Sequence, residues 1–337
     1  MLPISNILIY VVWVFNKGVL MKKSFYLIFV ISFLVSIFLP YTSTDVNANK
    51  SEIIVQNFFL TSDTINQKGD WDLVSSQYPS FAYGFSESAE NAYGLQIVSP
   101  ELDLTKFISP INYYCGSPAI TSNSTNFYYS WHKVNNDRTS NIEYTIINHK
   151  GNIVRNISKL TNLIASSTEI IQSRSPGITS APNENVAIVW EQNRYNTDFT
   201  RRNSNVFFAI LNPGGDIIVG PNNLTNNNLW GEQDELSIPH FSDLRIISTN
   251  DNYFVVAWTQ YANGLEYTQI VDNFYIIIDS NGNVVIPPQE ISTGQTYNTW
   301  YSILARMSGN EFLIGYTDWG TIKYSIIDSS GKIIMGT

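Results

Sequence analysis

A composite pattern of about sixty residues recurs down most of this chain. A tandem repeat of that size restricts the fold more than any other feature, because each copy must bury itself against its neighbours. The pattern opens on a short apolar stretch: Ser117-Pro118-Ala119-Ile120, Ser175-Pro176-Gly177-Ile178, Ile238-Pro239-His240-Phe241 and Tyr301-Ser302-Ile303-Leu304. A strand ending in an aromatic follows, Phe127 to Trp131, Val186 to Trp190, Phe254 to Trp258 and Phe312 to Tyr316. A hairpin with glycine in its turn closes each copy, at Gly151, Gly215, Gly282 and Gly331. The hairpin flanks are β-branched and aromatic, and Ser280-Asn281-Gly282-Asn283 is a turn of the kind that joins antiparallel strands.

Each copy therefore encodes four strands, and the aromatics at 131, 190, 258 and 316 are 59, 68 and 58 residues apart. That period fits one four-stranded blade of a β-propeller. Residues 49–116 hold a weaker copy, with Phe81 to Phe85 as the aromatic strand, Tyr93 to Val98 and Leu102 to Phe107. The expectation is an all-β chain with a single β-propeller over 49–337, made of five four-stranded blades. Residues 49–116 are the degenerate first blade and 117–337 the four clear repeats. The alternative is a four-repeat array capped by a separate small β domain. Composition agrees with strands and turns rather than surface helices: aromatic residues are 14% and charged residues only 14%.

The run Phe254-Val255-Val256-Ala257-Trp258, followed by Ile277-Ile278-Asp279-Ser280-Asn281-Gly282-Asn283-Val284-Val285, resembles the blades of secreted prokaryotic β-propeller proteins. The resemblance covers most of 117–337. It implies an architecture and not an activity, since propellers host lectins, hydrolases, lyases and scaffolds alike. Neither a sialidase aspartate box nor a WD signature is present.

Residues 1–48 read as a targeting segment. Met21-Lys22-Lys23 precedes the apolar run Ser24 to Pro40, and Val46-Asn47-Ala48 supplies small residues for cleavage after Ala48. Leu2 to Phe15 is apolar too, but short for a bilayer. The expected location is secreted or cell-surface, with membrane contact only through this segment if it stays uncleaved.

The formal net charge is -9 and no Lys/Arg-rich run occurs, so nucleic acid is excluded as a partner. Cys115 is the single cysteine, which rules out an internal disulfide and a thiolate zinc site. His132, His149 and His240 share no ligand spacing, so neither metal nor cofactor is expected. The Asp279-Ser280-Asn281-Gly282 turn lacks the further acidic ligands of a calcium loop. Asn49, Asn123, Asn156 and Asn223 begin N-glycosylation acceptor triplets.

In the blade reading, the connections between second and third strands are long: His132 to Asn141, Glu191 to Asn205 and Thr259 to Asn273. Binding residues gather on such loops over a rigid scaffold. These loops and the neighbouring blade links nominate Trp230, Trp300 and Trp319 for stacking on a ligand, with Tyr195, Arg194 and Tyr261 for polar contacts. Flat apolar rings beside directional hydrogen-bonders suit carbohydrate, or a surface protein as the other partner. The expected function is non-catalytic extracellular binding, and no catalytic residue is assigned. One alternative is a propeller glycoside hydrolase, which needs two converging carboxylates drawn from Glu191, Glu232, Asp234, Glu235 and Asp318. The other is a structural surface or scaffold protein. Repeated Trp131, Trp190 and Trp258 are read as packing between blades.

Overall fold

The computed structural model describes residues 71–75, 81–87, 92–99, 102–107, 115–229, 231–232, 240–263, 269–291, 299–318 and 321–336. The chain divides into two compact units, 1–60 and 61–337, and all described residues belong to the second. The expected targeting segment, 1–48, lies outside them. The described residues are all-β, with no helix among them.

Their strands form consecutive antiparallel meanders. The first is β1 (Trp71–Ser75), β2 (Phe81–Glu87), β3 (Ala92–Ser99) and β4 (Leu102–Phe107). The second is β5 (Cys115–Ser122), β6 (Asn126–Val134), β7 (Ser140–Asn148) and β8 (Ile153–Lys159). The third is β9 (Glu169–Ser180), β10 (Val186–Asn196), β11 (Arg201–Leu211) and β12 (Ile217–Asn223), with the short β13 (Gly231–Glu232) paired to β11. The fourth is β14 (His240–Ser248), β15 (Phe254–Asn263), β16 (Gln269–Ile278) and β17 (Val284–Glu290). The fifth is β18 (Thr299–Arg306), β19 (Glu311–Asp318), β20 (Thr321–Asp328) and β21 (Ile333–Gly336). The first strands of successive meanders are neighbours: β1 touches β5, β5 touches β9, β9 touches β14 and β14 touches β18. One parallel bridge, Ser140 to Gln172, joins the second and third meanders into a single sheet.

Second strands are apolar on both faces because both faces are covered. Val186, Ile188 and Trp190 pack with Tyr128, Ile142, Tyr144 and Ile146 of the second meander. The intervening Ala187 and Val189 pack with Phe241, Val256, Trp258 and Ile276 of the fourth. A third cluster joins Val255, Ala257 and Ile277 to Phe312, Ile314 and Ile327. The repeated aromatics Trp131, Trp190, Trp258 and Tyr316 are all buried. Trp190 stacks on Phe207, and Trp258 on Phe274, with centroids 5.9 Å apart in both pairs.

Opposite each repeated aromatic, the first strand carries one extra residue, a β-bulge. Residues 117 and 118 oppose Trp131, 175 and 176 oppose Trp190, 243 and 244 oppose Trp258, and 301 and 302 oppose Tyr316. Ser117, Ser175 and Asp243 hold left-handed backbone there, with φ of 51°, 50° and 51°. This corrects the alignment of the third clear repeat. Its equivalent of Ser175-Pro176 is Asp243-Leu244, five residues past Ile238-Pro239, because the bulge and not the proline is the repeated feature.

The glycine turns after the third strands share one geometry. The Gly151, Gly215, Gly282 and Gly331 amides donate to the carbonyls of Asn148, Asn212, Asp279 and Asp328, at 2.8 to 3.0 Å. Asp279 Oδ1 accepts the amides of Asn281 and Asn283, so its carboxylate is occupied by its own hairpin. The turns at Gly215, Gly282 and Gly331 also rest on the preceding meander. A Cβ at Gly282, where φ is +84°, would overlap the side chain of Val219 on β12. Gly309 also has positive φ, +70°, but faces open space. Gly282→Ala should therefore cost about 2–3 kcal/mol in urea unfolding, from left-handed backbone plus overlap. Gly309→Ala should cost about 1 kcal/mol. Equal losses would show that the turn does not rest on its neighbour.

Asn123 is corrected as a glycosylation acceptor. It is buried, its Nδ2 donates to Tyr128 Oη at 2.8 Å, and its Oδ1 accepts the amides of Thr125 and Asn126.

Candidate functional site

The connections expected to be long loops are mostly strand. β6 and β7 continue through Val134 and from Ser140, which leaves only 135–139 between them, and β10 and β11 leave only 197–200. Polar residues continue these strands because the ladder satisfies their backbones, while the side chains bond to one another and to nearby carbonyls. Asn205 Nδ2 donates to Asn203 Oδ1, and Asn203 Nδ2 donates to the carbonyls of Asn227 and Leu229, at 2.8 to 2.9 Å.

The two short connections repeat one motif, Asn-x-Asp-x-Thr, at Asn135 to Thr139 and Asn196 to Thr200. In the first, the Thr139 amide and hydroxyl donate to Asp137 Oδ1 at 3.0 and 2.6 Å. Asn135 Nδ2 donates to Thr139 Oγ1 at 2.9 Å. In the second, Thr200 binds Asp198 at 3.1 and 2.8 Å, and Asn196 Nδ2 binds Thr200 Oγ1 at 2.8 Å. Hydrogen bonds from the threonines hold both aspartates below the usual carboxylate range. The residue before each threonine, Arg138 or Phe199, takes positive φ, 66° or 60°.

Those two tips meet. The Arg138 guanidinium carbon lies 5.7 Å from the Phe199 ring centroid, and Phe199 lies 5.2 Å from the Tyr195 ring. Tyr195 is buried on β10, and burial raises its phenol pKa while Arg202 and Arg174 oppose that rise. Arg194, also on β10, is held by Glu169 at 2.6 Å.

A buried polar layer lies behind this end. Glu191 pairs in register with Arg174, and Ser204 Oγ donates to Glu191 Oε1 at 3.3 Å. His132 is buried with its pKa lowered to about 4, first by desolvation and then by Arg174, against the pull of Glu191. Glu143 is buried in the second meander opposite Trp131 in register, the place that Phe207 takes opposite Trp190. Burial raises its pKa, and Lys133 at 3.7 Å opposes the shift.

Of the residues nominated from sequence, Arg194 and Tyr195 come together on β10. Tyr261 and Trp300 lie on β15 and β18, with their side chains outside the described residues. Trp230 and Trp319 also lie outside, as do Asp234 and Glu235. Glu232 and Asp318 are placed only as strand residues, on β13 and β19. Among the described residues, no group of three or more His, Cys, Asp or Glu could hold a metal ion. Arg138 was missed and Phe199, carried by the 191–205 connection, was not nominated for a role, although the motif spaced 61 residues apart carries both.

No protein-family model and no curated protein matches the chain. Among solved structures it is similar to a Penicillium chrysogenum alpha-L-arabinanase complexed with arabinobiose. There the identity is 12%, the coverage 79% of each chain and the TM-score 0.47. It is also similar to a Lactobacillus brevis alpha-L-arabinofuranosidase, at 11% identity over 80% of this chain and 93% of that one, with a TM-score of 0.43. A third is a B. subtilis levansucrase mutant, at 8% identity, 79% and 86% coverage and a TM-score of 0.41. Likeness at this level says nothing of substrate or mechanism.

Proposed function

We propose that this chain is an exported five-bladed β-propeller, with residues 1–48 as its targeting segment, that engages extracellular carbohydrate where second strands turn into third strands. The side-by-side order of the first strands supports the propeller. One observation carries the ligand class: two like-built turns bring the half-exposed Phe199 ring against Arg138 at a strand end backed by buried hydrogen-bonding groups. A ring with polar neighbours on rigid strands is the arrangement that stacks a sugar and orients its hydroxyls. Trp230, Trp300, Trp319 and Tyr261 remain proposed members of the same surface.

A second reading, hydrolysis, has its own observation: Glu191 is a buried carboxylate in register with Arg174. A glycan array followed by product analysis separates the two. Binding should fall about fivefold in Phe199→Ala, the worth of one stacked ring, with an unchanged melting temperature. Unaltered glycan after binding supports retention alone. New reducing ends that vanish in Glu191→Gln establish the hydrolase. No glycan bound, with capture of a surface protein or self-assembly instead, sinks the carbohydrate reading.

A further inference from the structure

The cations of this chain are not spread evenly. Five of its eight arginines, Arg138, Arg174, Arg194, Arg201 and Arg202, fall at one end of the second and third meanders, although the chain is acidic as a whole. Two of them, Arg138 and Arg202, are linked through a pair of rings. Arg138 lies over Phe199, Phe199 packs on Tyr195, and Tyr195 stands opposite Arg202 in register.

Of the nearby acids, Asp137 and Asp198 bind their own turns and Glu143 lies 3.7 Å from Lys133, while Glu169 holds Arg194 and Glu191 and Glu232 stand in register with Arg174 and Arg201. Behind the arginines, polar atoms have no hydrogen-bond partner among the described residues: Arg174 Nε, and Nδ1 of His132 and Oδ1 of Asn193, the last two on buried side chains. Such atoms are costly to leave unsatisfied, which marks this end as one where polar groups are held under strain of solvation rather than packed for stability alone.

We infer that this end recognises carboxylate-bearing sugars, a polyuronate rather than a neutral glycan. The inference rests on the carbohydrate reading above and narrows it. Guanidinium groups bind carboxylates through two parallel hydrogen bonds, which lysine cannot reproduce. Neutral sugars offer no charge to offset the desolvation of several arginines.

The test uses the purified protein with polygalacturonate and its fully methyl-esterified form, the same backbone without charge. Polygalacturonate should bind, the ester about tenfold or more weaker, the scale of a charge-assisted bidentate contact. Added salt should weaken the first and not the second. Arg138→Gln with Arg202→Gln should lower polygalacturonate binding about tenfold, and the Lys versions should recover part of it. Arg155→Gln, on the outer β8 beside Asp216, should change nothing. Equal binding of acid and ester, or a doubly substituted protein with native melting and full affinity, overturns the inference and leaves the carbohydrate reading intact. Failure to bind any glycan overturns both.

Discussion

Trp190→Ala is expected to lower stability by about 3–5 kcal/mol, the cost of emptying a packed aromatic site, and Trp258→Ala by a similar amount. Both side chains are buried between meanders and stacked on a phenylalanine of the adjoining strand. Each indole lies opposite a bulge, so the cavity left behind is bounded by backbone held at positive φ or by proline and leucine, which collapses poorly. Trp190→Phe should cost about 1–2 kcal/mol, because the ring stack survives and the unbonded indole N–H is removed. Urea midpoints read all three. A Trp190→Ala midpoint within error of the parent, with glycan binding lost, would make this tryptophan a ligand contact rather than core.

Acid should loosen the fold through His132. Its ordinary pKa is near 6.5 and burial holds it at about 4 in the folded chain. The unfolded state therefore binds the proton first. Stability is full above about pH 6.5, falls as pH drops through the interval between the two values, and stops falling from this source below about pH 4. The whole shift corresponds to about 3 kcal/mol. Denaturant midpoints at pH 7 and pH 4 should lie closer together in His132→Gln than in the parent, the comparison cancelling the carboxylates common to both. Parallel curves would mean that His132 is solvated or already charged when folded.

Much of the fold was legible because its determinants are local and repeated. Val186 to Trp190 is apolar on both faces because both are packed, and glycine marks each outer turn where φ is positive. The bulges were hidden because their left-handed residues are Ser117, Ser175 and Asp243 rather than glycine. The proline that stands beside two of them drew the third alignment to Pro239 instead. At the candidate site the difficulty was polarity. Gln192 to Asn196 and Asn203 to Asn205 read as loop, yet they are strand, because their side chains satisfy one another across the ladder. Arg138 and Phe199 sit on turns whose signature is the spacing of asparagine, aspartate and threonine, not an apolar period. Their meeting depends on two meanders lying side by side.

The opposite ends of the meanders carry a one-way chain of bonds. Ser248 Oγ donates to the Ser180 carbonyl, and Ser180 Oγ donates to the Ser122 carbonyl. These two joints, between the second, third and fourth meanders, each present a hydroxyl on one side and a carbonyl on the other, and the middle meander carries both halves. Such joints are interchangeable, as couplings are in a train. A unit gained or lost whole leaves a hydroxyl facing a carbonyl at the new junction, whereas one cut within a unit leaves an orphan on each side. Across these three meanders a change of length by whole repeats keeps the bonds, and their common direction gives this stretch a front and a back.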